Sequence, residues 1–334
     1  MTISSNEKKS NSSRHLSLFR DKALIVAILL ALVQLNSTCV DRRSLSQHGD
    51  YTEMADSSES TTMLLGIFSM TSDKAKKRRE IIREHIILKD EKRVCSLVEF
   101  QRQVRESPTQ RKCQVAYTFV IGAGDENSPT DHSGDLPLTL ETDRLGQVEE
   151  DCTYLSIREN MEDGKSPTFM KAAASIAKEF GIDYIAKTDD DSVVGLSSLI
   201  EYMDSDLPPS PYNTRTYGGS LVLSRAAKKQ FVYAQGQFYF VSADVADHVG
   251  NVLTAEKRAT IGASIEDLDM GLYVETIKRP LKMIDTSSQQ FWFHPMKAEE
   301  EFIKASSEVS FPIAKYNLLN FKMACYHWNI NDPW

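Results

Sequence analysis

Past residue 60 the chain alternates between short apolar runs and longer amphipathic ones. TMLLGIFSM (62–70) is apolar without alternation, the pattern of a strand covered on both faces. QVAYTFVIG (114–122), CTYLSI (152–157) and DYIAKT (183–188) read as further strands. Between them, 73–88 predicts a basic helix. SPTFMKAAASIAKEF (166–180) predicts another, with apolar residues at helical spacing. Strands separated by helices imply βαβ units, hence an α/β fold with a mostly parallel central sheet. Further on, TYGGSLVL (216–223) and QFYFVS (237–242) predict strands, and 242–250 and 264–277 predict helices.

The start of the chain follows another pattern. Residues 1–22 are polar and basic, with Lys8, Lys9, Arg14, Arg20 and Lys22. ALIVAILLALVQLNSTCV (23–40) is unbroken apolar to Val33 and uncharged to Val40, the lower limit for a bilayer span. A basic flank before such a span predicts a cytosolic tail (1–22), a transmembrane signal anchor (23–40) and a lumenal remainder. The competing expectation is a cleaved signal peptide, favoured by the short apolar core and opposed by the long leader. DRRSLSQHGDYTEMADSSES (41–60) is polar and serine-rich, a stem or linker, which puts the folded domain at 61–334.

Charge narrows the partners. The 334 residues carry a net charge of −8. That balance argues against nucleic acid, because phosphate neutralisation needs clustered Lys and Arg. It suits neutral molecules, or anions reached through a bridging metal. Of the five cysteines, Cys39 sits at the membrane edge. Cys95, Cys113, Cys152 and Cys325 would be lumenal, where disulfides form, and three pairings are open to them.

The chemistry concentrates in IAKTDDDSVV (185–194). Asp189, Asp190 and Asp191 follow directly on a predicted strand, at the sheet edge where α/β proteins take ligands. Two carboxylates about 4 Å apart repel by ~1 kcal/mol in water and several-fold more near a protein surface. Either solvent screens them or a cation sits among them. With strand alternation, Asp189 and Asp191 share a side and can present oxygens to Mg²⁺ or Mn²⁺. The plainer expectation is a solvated acidic turn. An EF-hand is excluded, since its Gly and Glu positions, counted from Asp189, hold Val194 and Ile200. The segment from Asp189 to Val193 also matches the DxDx[TV] pattern of haloacid-dehalogenase-type phosphohydrolases, although strands precede it here and that motif normally opens its fold.

Other segments fall in a recognisable order. RRxxIR occurs at Arg78–Arg83, FVIG at 119–122, RENMEDGK at 158–165, KTDDD at 187–191 and YGGSLVL at 217–223. YAQGQFYFVS (233–242), IEDLDMG (265–271) and FWFH (291–294) follow. In this order and spacing the chain resembles the β1,3-galactosyltransferase family, inverting hexosyltransferases of the secretory pathway, over roughly residues 61–300. The resemblance implies a GT-A fold, a UDP-sugar donor (UDP-galactose or UDP-N-acetylglucosamine), Mn²⁺, and transfer to a glycan hydroxyl through a β1,3 link. It maps the family's DxD motif onto Asp189, Asp190 and Asp191, with the last aspartate on the metal and the first helping to hold the ribose. Asp189 itself is a candidate metal ligand as well, and Asp190 a donor contact. His294 falls where the family places a second ligand. Asp267 would take the acceptor proton, with Glu266 orienting the acceptor or capping structure. Arg78, Arg79 and Arg83 would reach donor phosphate or line a solvated helix face. Lys187 would contact the donor or pair with an aspartate.

The chain departs from the family pattern at His85-Ile86, at Gln237 and at Ser192-Val193-Val194. Expected partners are the UDP-sugar, a glycan or glycoprotein acceptor, the Golgi or ER membrane crossed once, and a second copy of the chain as a homodimer. Nucleic acid is not among them. A metal-dependent phosphohydrolase and a catalytically degenerate sugar-binding protein stand as the alternatives.

Overall fold

The strand β1 (Met63–Phe68) is buried at every position and lies inside the sheet. β3 (Val115–Gly124) flanks it on one side and β5 (Tyr184–Asp189) on the other, both parallel to it. β2 (Val94–Ser96) pairs with the first half of β3 and β4 (Cys152–Arg158) with the second, again in parallel. Beyond β5, β8 (Phe231–Ser242) and β7 (Thr216–Ser224) run antiparallel, and β9 (Lys282–Asp285) pairs parallel with β7. The order is β2-β3-β1-β5-β8-β7-β9, with β4 beside β3. This is a mixed α/β fold with a mostly parallel central sheet, as the pattern predicts. A separate two-stranded ladder joins β6 (Val193–Val194) to β10 (Trp292–Phe293).

This computed structural model describes residues 60–90, 92–107, 113–131, 138–140, 148–160, 164–224, 230–287, 292–294, 298, 300–301 and 303–305. The tail (1–22), the apolar segment 23–40, the stem up to residue 59, Cys39 and Cys325 lie outside the described residues. Among the described residues no helix is long and apolar enough to cross a membrane.

Side-chain alternation sorts the core onto the two faces of the sheet. Leu64, Phe68 and Ile185 pack with Phe100 of α2 (Leu97–Glu106), Phe169 of α3 (Lys165–Phe180) and Met270 of α7 (Glu266–Glu275). Met63, Leu65, Ile67 and Ala186 face the other way. They meet Ile81 and Ile82 of α1 (Asp73–His85) and Leu199 and Met203 of α4 (Leu196–Ser205). Helices therefore cover both faces, each buried large side chain contributing about 1.5–3 kcal/mol. Ser72 starts α1, its Oγ accepting the Ala75 N–H at 3.3 Å.

Several elements escape the hydrophobic pattern. β2 and α2 lie in the polar stretch after residue 90, and α4 follows the aspartates directly. The helix predicted over 242–250 is split into α5 (Ala243–Asp247) and a π-helical turn, His248–Val252, ahead of α6 (Ala255–Ile261). Cys95 and Cys113 form a disulfide, and among the described residues Cys152 is a free thiol.

Candidate active site

From β1 the chain runs outward to β3 and β4, then returns to the opposite side of β1 as β5. Such a reversal opens a crevice at the carboxyl ends of the strands. Phe68 and Asp189, register partners, end the two strands there. A cleft of about 270 Å³ lies beside them, lined by Phe68, Lys165, Lys187, Asp189, Gly236, Glu266 and Asp267 among others. Residues far apart in the chain thus share one cavity. Asp189 of β5 reaches it, as does the first turn of α7.

The three aspartates take three different environments. Asp189, last in β5, lies on the α3 side and pairs with Lys187 at 2.8 Å. Burial raises its pKa above the ordinary value, with Lys187 acting against the rise. Asp190 turns to the α1 side, 6% exposed, where it accepts from Ser69 Oγ at 2.7 Å and Arg78 at 2.8 Å. Burial raises its pKa as well, opposed by these two donors. Asp191 meets His294, Oδ1 to Nδ1 3.3 Å, and Ser192 Oγ lies 3.0 Å from the same nitrogen. Burial would raise its pKa, but the bond and charge of His294 prevail and hold it below the usual range.

Two expectations change here. The triad is not a solvated acidic turn, because each carboxylate has a protein partner. Nor does strand alternation carry through to Asp191. β5 stops at Asp189, and the Ser192 N–H donates to the Asp189 carbonyl at 3.0 Å, turning the chain.

Lys187 is 3% exposed and spends its three N–H groups within the protein. It donates to Gly236 O at 2.7 Å, Asp189 Oδ1 at 2.8 Å and Glu266 Oε2 at 3.1 Å. Burial alone would discharge it, but the carboxylates of Glu266 and Asp189 outweigh burial and raise its pKa. With its three donors engaged inside the protein, Lys187 braces the site and pairs with an aspartate. Removing one partner of such a buried pair costs about 3–5 kcal/mol.

The neighbouring carboxylates of α7 differ sharply. Glu266 accepts from Tyr239 at 2.7 Å, from Ser166 Oγ and from Lys187, so both its oxygens are engaged. Among the described residues Asp267 is held by backbone alone, Leu268 N–H at 2.8 Å and Gly236 N–H at 3.3 Å. Burial first, then the charge of Glu266, raises its pKa. Asp269 accepts the Ala263 N–H and closes the turn before the helix.

Some site residues carry no signal in the sequence. Lys165 opens α3, is buried, and donates to Ser69 O and Glu159 Oε1, each at 2.7 Å. Glu159 in turn accepts the Gly122 N–H at 2.9 Å, tying the ends of β1, β3 and β4 together. Gly164, just before α3, has φ +60°, a conformation that favours glycine. The RENMEDGK segment marks this region, but nothing in it shows that its lysine is buried.

The arginines divide. Arg78 reaches the triad through Asp190. Arg79 and Arg83 point instead at Glu149, each at 2.5 Å, and Arg83 also pairs with Asp151 at 2.7 Å. Arg79 still touches the site indirectly, donating at 2.9 Å to the Ser69 hydroxyl that bonds Asp190. The expected donor-phosphate contact is therefore not where Arg79 and Arg83 lie. Glu149, Asp151 and Cys152 bring ligand-type atoms within 4.8 Å of one another. Their carboxylates are already neutralised by arginine. The Cys152 thiol is pushed up to about 12 by burial and those same carboxylates, so it is a poor thiolate ligand.

No protein-family model matches the chain, and no curated protein matches it.

Proposed function

We propose that the protein is an inverting, UDP-sugar-dependent hexosyltransferase with a GT-A type domain. It would move galactose or N-acetylglucosamine to a glycan hydroxyl through a β1,3 link. The observation that carries this reading is the shared cleft: Asp189, last residue of β5, and Asp267, in the first turn of α7, line one cavity at the carboxyl edge of the sheet. A carboxylate of raised pKa in the same cleft as Asp189, the first of the three aspartates, suits an inverting transfer, which needs one base to take one hydroxyl proton. Asp267 suits that role because, among the described residues, backbone N–H groups alone hold it, while Glu266 is fully engaged in holding α7 to Lys187 and Tyr239.

The donor set of Asp191 and His294 fits Mn²⁺. A carboxylate oxygen and an imidazole nitrogen 3.3 Å apart are close to the ~3 Å separation of adjacent ligands on one ion. A bound Mn²⁺ supplies Lewis-acid neutralisation of the departing diphosphate. Asp191 and His294 would hold the ion. Asp189 is already committed to Lys187, and Asp190 anchors the turn to α1 through Arg78. The Cys95–Cys113 disulfide supports folding in an oxidising compartment, consistent with a lumenal domain behind a type II anchor in the Golgi or ER membrane.

The test uses the full chain purified in detergent. It is incubated with UDP-galactose, UDP-N-acetylglucosamine or UDP-glucose, with Mn²⁺ or with EDTA, and released UDP is measured. The expected result is Mn²⁺-dependent release from one donor, lost in Asp191→Ala. No release from any donor, together with no rise in melting temperature on adding UDP and Mn²⁺, overturns the reading. A covalent phospho-aspartate at Asp189 would replace it with the phosphohydrolase.

A further inference from the structure

β8 carries a bulge beside the cleft. Its register with β7 passes from Gly219↔Tyr239 to Leu221↔Ala234, so residues 235–238 stand opposite Ser220 alone. Ser220 Oγ pins this bulge by donating to Gln235 Oε1 at 2.9 Å. Gly236 sits within it, and its peptide is held from two directions. Its carbonyl accepts from buried Lys187 at 2.7 Å, and its N–H donates to Asp267 Oδ2 at 3.3 Å. Lys187 also grips Glu266, the chain neighbour of Asp267, whose other oxygen takes the Tyr239 hydroxyl at 2.7 Å.

We infer that Lys187 and the Gly236 bulge form a clamp that positions Asp267 for proton transfer, Lys187 and Gly236 being positioning residues that act through it. This rests on the transferase reading above. The clamp explains why a lysine is buried among carboxylates without a donor to spare. It also explains the glycine. A Cβ at position 236 would crowd Glu266 Oε2 at 3.3 Å and would stand at ordinary contact distance from Lys187 Nζ (3.4 Å) and Asp267 Cβ (3.5 Å), touching all three parts of the clamp. Gly236 is not in the left-handed region, so alanine fits its backbone and the tight contact falls on the Glu266 carboxylate that Lys187 holds.

Gly236→Ala therefore disturbs the clamp without deleting a charge, and Lys187→Met removes its centre. Each is made in the full chain. UDP release to water is measured from the donor the wild type uses, and affinity for UDP with Mn²⁺ is measured by calorimetry. Small displacements of a catalytic group are costly, so Gly236→Ala is expected to lower turnover about tenfold to 100-fold while affinity stays within about threefold. In the Asp267→Ala background, Gly236→Ala should lower turnover no further, because the two act as a unit. Three results overturn the clamp alone: wild-type turnover in Gly236→Ala, affinity falling in step with turnover, or a full additional loss in the Asp267→Ala background. Lys187→Met keeping wild-type turnover while folded overturns it as well. A wild type that releases no UDP from any donor removes the transferase reading, and the clamp's catalytic role with it.

Discussion

Glu266 and Asp267 show how far one residue step can separate two identical functional groups. Both are carboxylates in the first turn of α7. Glu266 has its oxygens filled by Tyr239, Ser166 and Lys187, whereas among the described residues Asp267 meets two backbone N–H groups and no side-chain donor. The consequence for Asp267 is a carboxylate whose charged form is penalised by burial and by its neighbour. If Asp267 is the base of the proposed transfer it must be deprotonated to act, so UDP release should rise with pH through this raised pKa, with an acid limb above that of an ordinary aspartate. Stability runs the other way. A pKa raised on folding favours the protonated form in the native state, so this contribution is present below the unfolded value and is lost as pH rises through the folded one. Asp267→Asn should then lower UDP release about 100-fold or more while leaving the melting temperature at pH 7 unchanged or higher. A melting temperature several degrees lower would show that Asp267 is a structural support.

At the scale of elements, α1 is attached to the sheet by charge as well as by its apolar face. Arg79 and Arg83 share a side of the helix and meet Glu149 and Asp151 just ahead of β4, and Arg83 also lies 4.8 Å over the Phe119 ring. Burial of Glu149 would raise its pKa, but the two arginines prevail and lower it to about 2. A pKa lowered on folding contributes stability above the unfolded value near 4.5, and that contribution is lost as pH falls from there through about 2. The melting temperature should drop across this window. In Glu149→Gln it should start lower at pH 7 and fall less steeply toward pH 2. A parallel fall in both proteins would remove Glu149 from the account. The same helix reaches the aspartate triad, since Arg79 bonds the Ser69 hydroxyl and Arg78 bonds Asp190. Loosening α1 should therefore also weaken the triad.

At the scale of the domain, a disulfide ties β2 to the residues just ahead of β3. Cys95 and Cys113 are 18 residues apart, and a loop of that size is worth about 3 kcal/mol in the chain-entropy account. The double variant Cys95→Ser, Cys113→Ser should unfold at lower denaturant with an unchanged slope. Peptide mapping without reductant should find this pair linked in the native protein. Two free thiols at these positions in protein from the secretory route would break the argument for a lumenal fold.

The hydrophobic pattern by itself determined the α/β class, the strands that build the centre of the sheet, and the placing of three aspartates at its ligand edge. These features follow from local periodicity, and periodicity survives in a string of letters. Motif order marked Asp267, Glu266 and His294 as worth attention. The polar stretch holding β2 and α2 hid its elements, because an edge strand of three residues has too few positions to show a period. Only the tertiary structure decided which charge meets which. It gave Arg79 and Arg83 to Glu149 and Asp151, closed Lys187 onto Gly236 and Glu266, and buried Lys165 beneath the cleft. Each of these pairs spans tens of residues along the chain. Long-range electrostatic partners are set by how strand ends and helix starts pack, a matter of geometry in space that spacing along the chain does not encode.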